Sequence, residues 1–498
     1  MSRSLTFNSL PNLLPASFRL SLQRAGLVRW LEWLLWGFIS CAAAPKTLPA
    51  TEIRPPNVVV IFCDDLGYGD LGCFGNPTIR TPHLDRLAVE GQKWTSFYSA
   101  DPVCTPSRAG LLTGRYPIRN GMTSAAQVVL FPNSQGGLPP EEVTLAELLK
   151  QRDYATGCFG KWHLGHRPPY LPTAQGFDTY FGIPYSNDMD ATPEAREYHR
   201  RSRGEANFQP PTEWFNVPLI RDMEIIEQPA DQRTITRRYT DEAISFIRQH
   251  KSQPFLVYLA HNMPHIPLLA SDDFQGRSPR GLYGDVVEEL DFHVGRLVET
   301  LREEGLAQQT LVVFTSDNGP WLSFQVQGGS AGPLRAGKGT TFEGGQRVPT
   351  LFWMPGTIPA GTTVTDLGST MDLMATIASL TDTTAPADRT LDSYDLTPAL
   401  TGTGASPRGE FFYWTRAKLH AVRVGPYKLH VHQRQPLNYG ESRKLETPEL
   451  YHVEHDVSEQ FDIAAQHPEV VAQLLQRFEA HAAGIVPATD QLANSEEP

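Results

Sequence analysis

Apolar positions along the chain fall into two kinds of run. Four are short, continuous and rich in β-branched or small residues: "NVVVIF" at 57–62, "ATGCF" at 155–159, "PFLVYLA" at 254–260 and "TLVVFTS" at 310–316. Runs of that length without polar alternation predict strands buried on both faces. Three segments between and beside them, "VTLAELLKQR" (143–152), "TDEAISFIRQH" (240–250) and "YGDVVEELDFHVGRLVETLREEG" (283–305), carry apolar residues at helical spacing. Continuous strands separated by helices predict an α/β fold: a mainly parallel central sheet flanked by helices on both faces.

The pattern changes after about residue 385. "FFYWTRAKLHAVRVGPYKLHVH" (411–432) alternates and turns at Gly425-Pro426, which predicts an antiparallel hairpin; "HPEVVAQLLQRFEAHAAG" (467–484) predicts a closing amphipathic helix. The expected organisation is an N-terminal extension over 1–44, a main domain over 53–385 and a smaller C-terminal α+β subdomain, with an antiparallel sheet of its own, over 386–498. No internal repeat is present.

The N-terminal extension reads as an export signal. Arg19, Arg24 and Arg29 precede the apolar stretch "WLLWGFISCAAAP" (33–45), which ends in small residues and is too short to span a bilayer. Glu32 stands at the start of that stretch, and the arm before it is long for a signal. "FISC" at 38–41 loosely resembles a lipoprotein cleavage box, so a lipid anchor on Cys41 is a further expectation.

Composition narrows the function. With 498 residues, 40% hydrophobic and 20% charged, 41 prolines and 40 glycines, the chain is a loop-rich globular protein of enzyme size. The net charge of -12 and the lack of a long Lys/Arg run exclude a nucleic-acid partner, because phosphate backbones need a basic face. A small anionic substrate needs only a local cluster of positive groups. Five cysteines, at 41, 63, 73, 104 and 158, form an odd set without CxxC spacing, so neither a disulfide framework nor a zinc site is expected. Cys63 and Cys158 lie in apolar runs and read as small buried hydrophobes.

Candidate chemistry collects where the predicted strands end, which is where open α/β sheets bind ligands. The first strand is followed by Asp64-Asp65 and the fourth by Asp317-Asn318. Either pair alone also suits a turn cap, but at equivalent strand ends the two together offer oxygen ligands for a hard cation, Ca²⁺ or Mg²⁺. The strand at 155–159 is followed by Gly160-Lys161-Trp162-His163, and that at 254–260 by a loop with His261 and His265; Lys338 lies in the Gly-rich "RAGKGTTFEGG" (335–345), which is not a Walker-type phosphate loop. In "CTPSRAGLLTGR" (104–115), Thr105 and Pro106 suit a helix start. A cysteine at a helix N-terminus beside Arg108 is expected to have a lowered pKa, and one reading of it is a thiolate nucleophile. A cysteine hydrolase, however, has no need of a hard metal, and the residues alone leave that combination open.

"CTPSRAGLLTGR" resembles the signature of the type I sulfatases, in which the cysteine of Cys-x-Pro-x-Arg is oxidised after translation to formylglycine. "CDDLGYGDLGCFG", "GKWHLGHRPPY", "TSDNGP" and "GKGTTFEGG" match the same family in order, and the resemblance runs from about Asn57 to near the C-terminus. It is nearest to the arylsulfatase A and N-acetylgalactosamine-6-sulfatase group. The resemblance implies an alkaline-phosphatase-like fold and one Ca²⁺ held by Asp64, Asp65, Asp317, Asn318 and the modified Cys104. It also implies that Arg108 steadies the formylglycine, that Lys161 and Lys338 grip sulfate oxygens, and that His163 and His265 serve the proton transfers. His265 is preferred to His261 because "PHIP" keeps the family's His-x-Pro spacing, which leaves His261 structural or adjacent to substrate.

The implied reaction is hydrolysis of an aryl sulfate or a sulfated sugar to alcohol and inorganic sulfate. One hydroxyl of the hydrated aldehyde, deprotonated with help from the metal, attacks sulfur; a histidine protonates the leaving oxygen; the second hydroxyl then expels sulfate. An implied partner is a formylglycine-generating or anaerobic sulfatase-maturing enzyme. A phosphonate or phosphate monoester hydrolase on the same fold and a non-catalytic secreted carbohydrate-binding protein are the alternatives. The cysteines are too few for the disulfides of animal relatives, which fits an exported bacterial enzyme, periplasmic or extracellular. "SEQFD" at 458–462 departs from the family's usual acidic turn, with little consequence expected for the site. Tyr198, Phe208 and Trp214 either line a sugar subsite or pack a loop, the second being the commoner fate of aromatics.

Overall fold

In the computed structural model, which describes residues 54–434 and 442–493, the four apolar runs become the strands Asn57–Cys63, Ala155–Gly160, Phe255–Ala260 and Thr310–Ser316. The predicted export segment and Cys41 lie outside the described residues. Thr310–Ser316, Asn57–Cys63, Phe255–Ala260 and Ala155–Gly160 are adjacent and parallel, in that order. They form the middle of a ten-stranded sheet.

Because side chains alternate across a strand, each run supplies two cores. Val59, Ile61 and Cys63 enter one cluster, with residues of the helices Ile235–His250 and Leu282–Glu303; Val58, Val60 and Phe62 enter another, with residues of Cys104–Thr113, Leu145–Leu149 and Leu373–Thr381. Both faces are covered, which explains why these strands tolerate no polar alternation. Two helices differ from the expected bounds. Ile235–His250 starts earlier than 240, since Ile235 and Tyr239 are buried one turn apart while Arg237 and Arg238 interrupt the apolar signal. The helix expected over 143–152 is Leu145–Leu149, capped reciprocally by Thr144 and Glu147, and it tightens to a 3₁₀ turn at Lys150–Arg152.

Six short strands that the periodicity did not reveal complete the sheet. Thr350–Trp353, Gln92–Trp94 and Thr362–Val364 extend one edge; Thr179–Gly182, Leu219–Arg221 and Glu224–Glu227 extend the other. Runs of three or four residues are too short to show a period.

The expected hairpin turns at Gly425-Pro426, between Lys418–Val424 and Tyr427–Gln433, and belongs to a larger sheet. Residues 410–433 form three strands, Glu410–Thr415, Lys418–Val424 and Tyr427–Gln433, and Arg443–His452 adds a fourth to the antiparallel sheet. The missed turn is Arg416-Ala417, two non-glycine residues at φ 48 and 55, with no Gly or Pro to mark it. The closing helix, Pro468–Gly484, buries Leu474 and Phe478 in a cluster that includes Phe411 and Leu429 of the sheet and Tyr98 and Tyr116 of the main domain. Cys63, Cys73, Cys104 and Cys158 are all free thiols. No helix among the described residues is long and apolar enough to cross a membrane.

The long helix Leu282–Glu303 carries a buried acid whose titration is measurable. Burial raises the Glu289 carboxyl from 4.5 to about 7, against a hydrogen bond from the Ser271 N–H (3.0 Å). A carboxyl with a raised native pKa is protonated in the fold while the unfolded chain ionises, so its contribution to stability falls as pH rises from 4.5 through 7. Glu289→Gln removes that loss. The melting temperature of the variant should exceed the parent's increasingly as pH rises through this window, approaching about 3 kcal/mol of relative stabilisation above neutrality. A pH-independent difference between the two proteins would show that Glu289 is already ionised in the fold.

Candidate active site

Strand register builds the site. Cys63 pairs with Ser316 across two parallel strands, so the chain leaves the sheet at neighbouring points and brings Asp64-Asp65 beside Asp317-Asn318. The N–H of Asp65 donates to Oδ1 of Asp317 at 3.1 Å, and that of Leu66 to Ser316 Oγ at 3.0 Å. Gly160 pairs with Ala260, and the Lys161 N–H donates to the Ala260 carbonyl at 2.7 Å, which sets Lys161 at the same edge. Asp65 (φ 63) and His163 (φ 58) are held in the left-handed region, a conformation that costs free energy and persists where the surroundings impose it. Cys104 opens a buried helix whose fifth residue, Arg108, passes beneath these strand ends.

Arg108 braces the carboxylates. Its guanidinium donates to Asp317 Oδ2 at 2.8 Å and to the Lys161 carbonyl at 3.1 Å, and lies 3.5 Å from Asp64 Oδ2. Lys161 Nζ pairs with Asp64 and donates to Ser186 Oγ at 3.0 Å. Lys338 Nζ meets Asp65 Oδ1 at 2.7 Å and lies 4.4 Å from the Trp321 ring. The Sγ of Cys104 faces Asp64 Oδ1 at 3.4 Å.

These contacts decide the charge states. Burial opposes ionisation of Asp64, but Lys161, followed by His265, Arg108 and Lys338, holds its carboxyl well below the usual range. Burial raises Asp65 to about 6 against Lys338, and burial with the Asp64 charge raises Asp317 to about 7. The lowered pKa expected for Cys104 is not found. Burial, then the Asp64 charge, push its thiol well above the ordinary value, and Lys161 and Lys338 only partly compensate. The helix N-terminus and Arg108 fail to activate it because Arg108 is spent on Asp317 and Asp64.

Both histidines are neutral and have assignable tautomers. Burial and Lys161 hold His163 well below its ordinary pKa; burial and Lys338 do the same to His265. The Nε2 of His163 donates to the Leu130 carbonyl at 2.8 Å, leaving a buried Nδ1 without a hydrogen-bond partner. The Nδ1 of His265 donates to the Ile266 carbonyl at 2.5 Å, leaving Nε2 as an acceptor 3.6 Å from Asp65 Oδ2. His261 is buried next to the Tyr239 ring (6.3 Å between centroids), apart from the cavity described below.

A hard cation fits this donor set. Ligand atoms of Asp64, Asp65, Cys104 and His265 lie within 4.8 Å of one another. The Oδ1 of Asn318 is buried without a hydrogen-bond partner, while its amide N–H donates to Asp65 Oδ1 at 2.7 Å. An orphaned amide oxygen beside buried carboxylates is what an oxygen-seeking cation would satisfy. Asp317 stands next to this group, with Oδ2 turned to Arg108.

A cavity of about 220 Å³ opens onto Cys104, His163, His265 and Lys338. Ser186 and Asp188 add polar atoms, and Val128, Val129, Phe131, Met189 and Trp321 form an apolar wall. Sequence reasoning missed all of these wall residues: they lie in irregular loops and carry no motif of their own. Tyr198, Phe208 and Trp214 do not line the cavity; they pack on one another, with centroids 6.1 Å apart for each neighbouring pair, as loop packing predicts.

The sulfatase family profile matches residues 56–383, and the profile of the C-terminal region of aryl-sulfatase matches 406–498. The chain belongs to the sulfatase family. It is 40% identical to arylsulfatase A of Homo sapiens over 472 residues, covering 89% of this chain and 92% of that one. To N-acetylgalactosamine-6-sulfatase of Canis lupus familiaris it is 37% identical over 496 residues, covering 92% and 91%. A solved structure in complex with k-i-k-neocarrahexaose superposes with a TM-score of 0.72 at 31% identity, covering 86% of this chain and 93% of that one. The protein is thus an arylsulfatase-like hydrolase of sulfate esters. In this sulfatase a buried acid cluster, compensated by Arg108, Lys161 and Lys338, adjoins a small cavity that Cys104, His163, His265 and Lys338 line.

Proposed function

We propose that this sulfatase cleaves aryl sulfates or sulfated sugars with residue 104 converted from cysteine to formylglycine and one Ca²⁺ bound by Asp64, Asp65, Asp317, Asn318 and the modified residue. The observation that carries the proposal is the placement of Cys104: its Sγ lies 3.4 Å from Asp64 Oδ1, within the buried group of Asp64, Asp65 and His265 ligand atoms, and it lines the same cavity as His163, His265 and Lys338. The hydrated aldehyde supplies an attacking hydroxyl, and a second hydroxyl through which sulfate is released. The ion, when bound, supplies positive charge against sulfate oxygens and favours the deprotonated hydroxyl.

This chain's own residues do the rest. Lys161 and Lys338 hold the sulfate oxygens, and Arg108 keeps Asp64 and Asp317 in place beneath them. His163, with a free Nδ1, and His265, with Nε2 turned inward, are the groups that take a proton from the hydroxyl and return one to the leaving oxygen. Burial is the larger cause of the lowered pKa of both imidazoles and the lysine charges the second; an arriving anion offsets the second and so favours the proton-carrying form. The apolar wall receives the carbon skeleton of the alcohol. Export to the periplasm or beyond, with a lipid on Cys41, and maturation by a formylglycine-generating or anaerobic sulfatase-maturing enzyme complete the proposal.

The test is mass spectrometry of the tryptic peptide holding residue 104, from protein made with a formylglycine-generating system, together with p-nitrophenyl sulfate turnover before and after chelation. Formylglycine with chelator-sensitive turnover supports the reading. Full conversion with phosphonate or phosphate esters cleaved instead of sulfate esters would replace it by the phosphorus hydrolase.

A further inference from the structure

The loop that carries Lys338, residues 335–346, has one short helical turn, Glu343–Gln346, as its only regular structure. Its position is set from outside by buried charges of the C-terminal sheet. Glu343 is fully buried, and its carboxylate accepts from Lys428 Nζ (2.9 Å), from the hydroxyls of Tyr98 (2.6 Å) and Tyr413 (2.9 Å), and from Arg347 (3.2 Å). Lys428, also fully buried, donates to the Thr341 carbonyl at 2.8 Å and lies 2.9 Å from Glu459 Oε1. Glu459 accepts from His430 at 2.7 Å and, through its other oxygen, from the backbone N–H of Glu343 at 2.7 Å. Arg434 donates to the Gly339 carbonyl at 3.2 Å, one residue from Lys338.

On its other side the same loop is bonded to the segments that carry the acids and Cys104. The Lys338 N–H donates to the Pro320 carbonyl (3.0 Å), that of Gly339 to Pro102 (2.9 Å), and that of Gly319 to Gly345 (2.9 Å). There is no slack at this seam: a Cβ on Gly319 would stand 1.7 Å from the Gly344 carbonyl oxygen. These bonds tie the loop that holds Glu343 to the backbone at Lys338 and to the turn after Asn318. Stability does not account for such a network, since buried ion pairs often do no better than apolar packing of the same volume. Glu459 is moreover held at φ 49, a cost for a non-glycine residue.

We propose that Lys428 and Glu459 are positioning residues for Lys338, so that the C-terminal sheet completes the sulfate site by clamping the 335–346 loop against the catalytic strand ends. The inference rests on the reading of Lys338 as a sulfate-binding group. On this proposal "SEQFD", whose second residue is Glu459, would matter to the site, contrary to the expectation from sequence.

Glu459→Gln keeps the volume and an acceptor for the Glu343 N–H while removing the charge that faces Lys428 and His430. The readout is the Kd of inorganic sulfate by calorimetry in a double-mutant cycle with Lys338→Ala. Glu459→Gln should weaken sulfate about ten- to a hundredfold in the parent background, by misplacing the ammonium, and less than about twofold when Lys338 is already alanine. Equal factors in the two backgrounds, or none in the parent, would overturn the proposal. If Glu459→Gln does not fold, Lys428→Met in the same cycle decides by the same criterion. Turnover of p-nitrophenyl sulfate by the parent tests the sulfatase mechanism separately, because sulfate binding needs no conversion of residue 104.

Discussion

Cys104→Ala protein is expected to melt close to the parent yet turn over p-nitrophenyl sulfate at least about 10⁴-fold more slowly, the scale on which removal of a nucleophile is felt. The alanine loses little packing, because the thiol is a small buried group, but it cannot become the aldehyde. Parent protein made without a maturation enzyme should be equally inactive, since an unmodified cysteine has no second hydroxyl through which to release sulfate. Activity across preparations should then scale with the fraction of residue 104 converted, read on the same samples by peptide mass. Activity of Cys104→Ala within tenfold of the parent would remove residue 104 from the chemistry.

Lys161→Met is the second large effect. It removes the ammonium that pairs with Asp64 and that the proposed mechanism sets on sulfate, so kcat/KM should fall about 10²- to 10³-fold, as for loss of one oxyanion donor. The same change strands the buried Asp64 carboxylate; removing one partner of a buried pair costs about 3–5 kcal/mol. A divalent cation beside Asp64 offsets that cost. The melting temperature of Lys161→Met should therefore rise more on addition of Ca²⁺ than the parent's does. Turnover within threefold of the parent, with an unchanged response to Ca²⁺, would show that Lys161 touches neither substrate nor the ion-binding acids.

Much of the site was legible because its residues follow strands. Asp64, Asp65, Lys161, Asp317 and Asn318 stand directly after continuous apolar runs, and such runs end at one edge of a parallel sheet. Ser186, Asp188, Val128, Val129, Phe131, Met189 and Trp321 were not legible, since irregular loops have no period to reveal which residues turn inward. The Cys104 expectation failed for a different reason. A local argument counts Arg108 as a neighbour of the thiol, whereas in the fold that guanidinium is 2.8 Å from Asp317, a residue more than two hundred positions away. Glu459 escaped notice likewise, because Lys428 and His430, on the strand Tyr427–Gln433, and Glu343, more than a hundred positions away, meet it only in the fold.

What the chain determined by itself is the set of buried strands and long helices and the chemical types at their ends. Apolar continuity and helical spacing are local properties, written over a handful of consecutive residues, and the free energy of burying them depends little on which partner does the burying. Tertiary structure decided which groups share the cavity and which of them carry charge. Desolvation and Coulomb interaction depend on depth and on separations of a few ångströms between distant segments, and no stretch of sequence contains those distances.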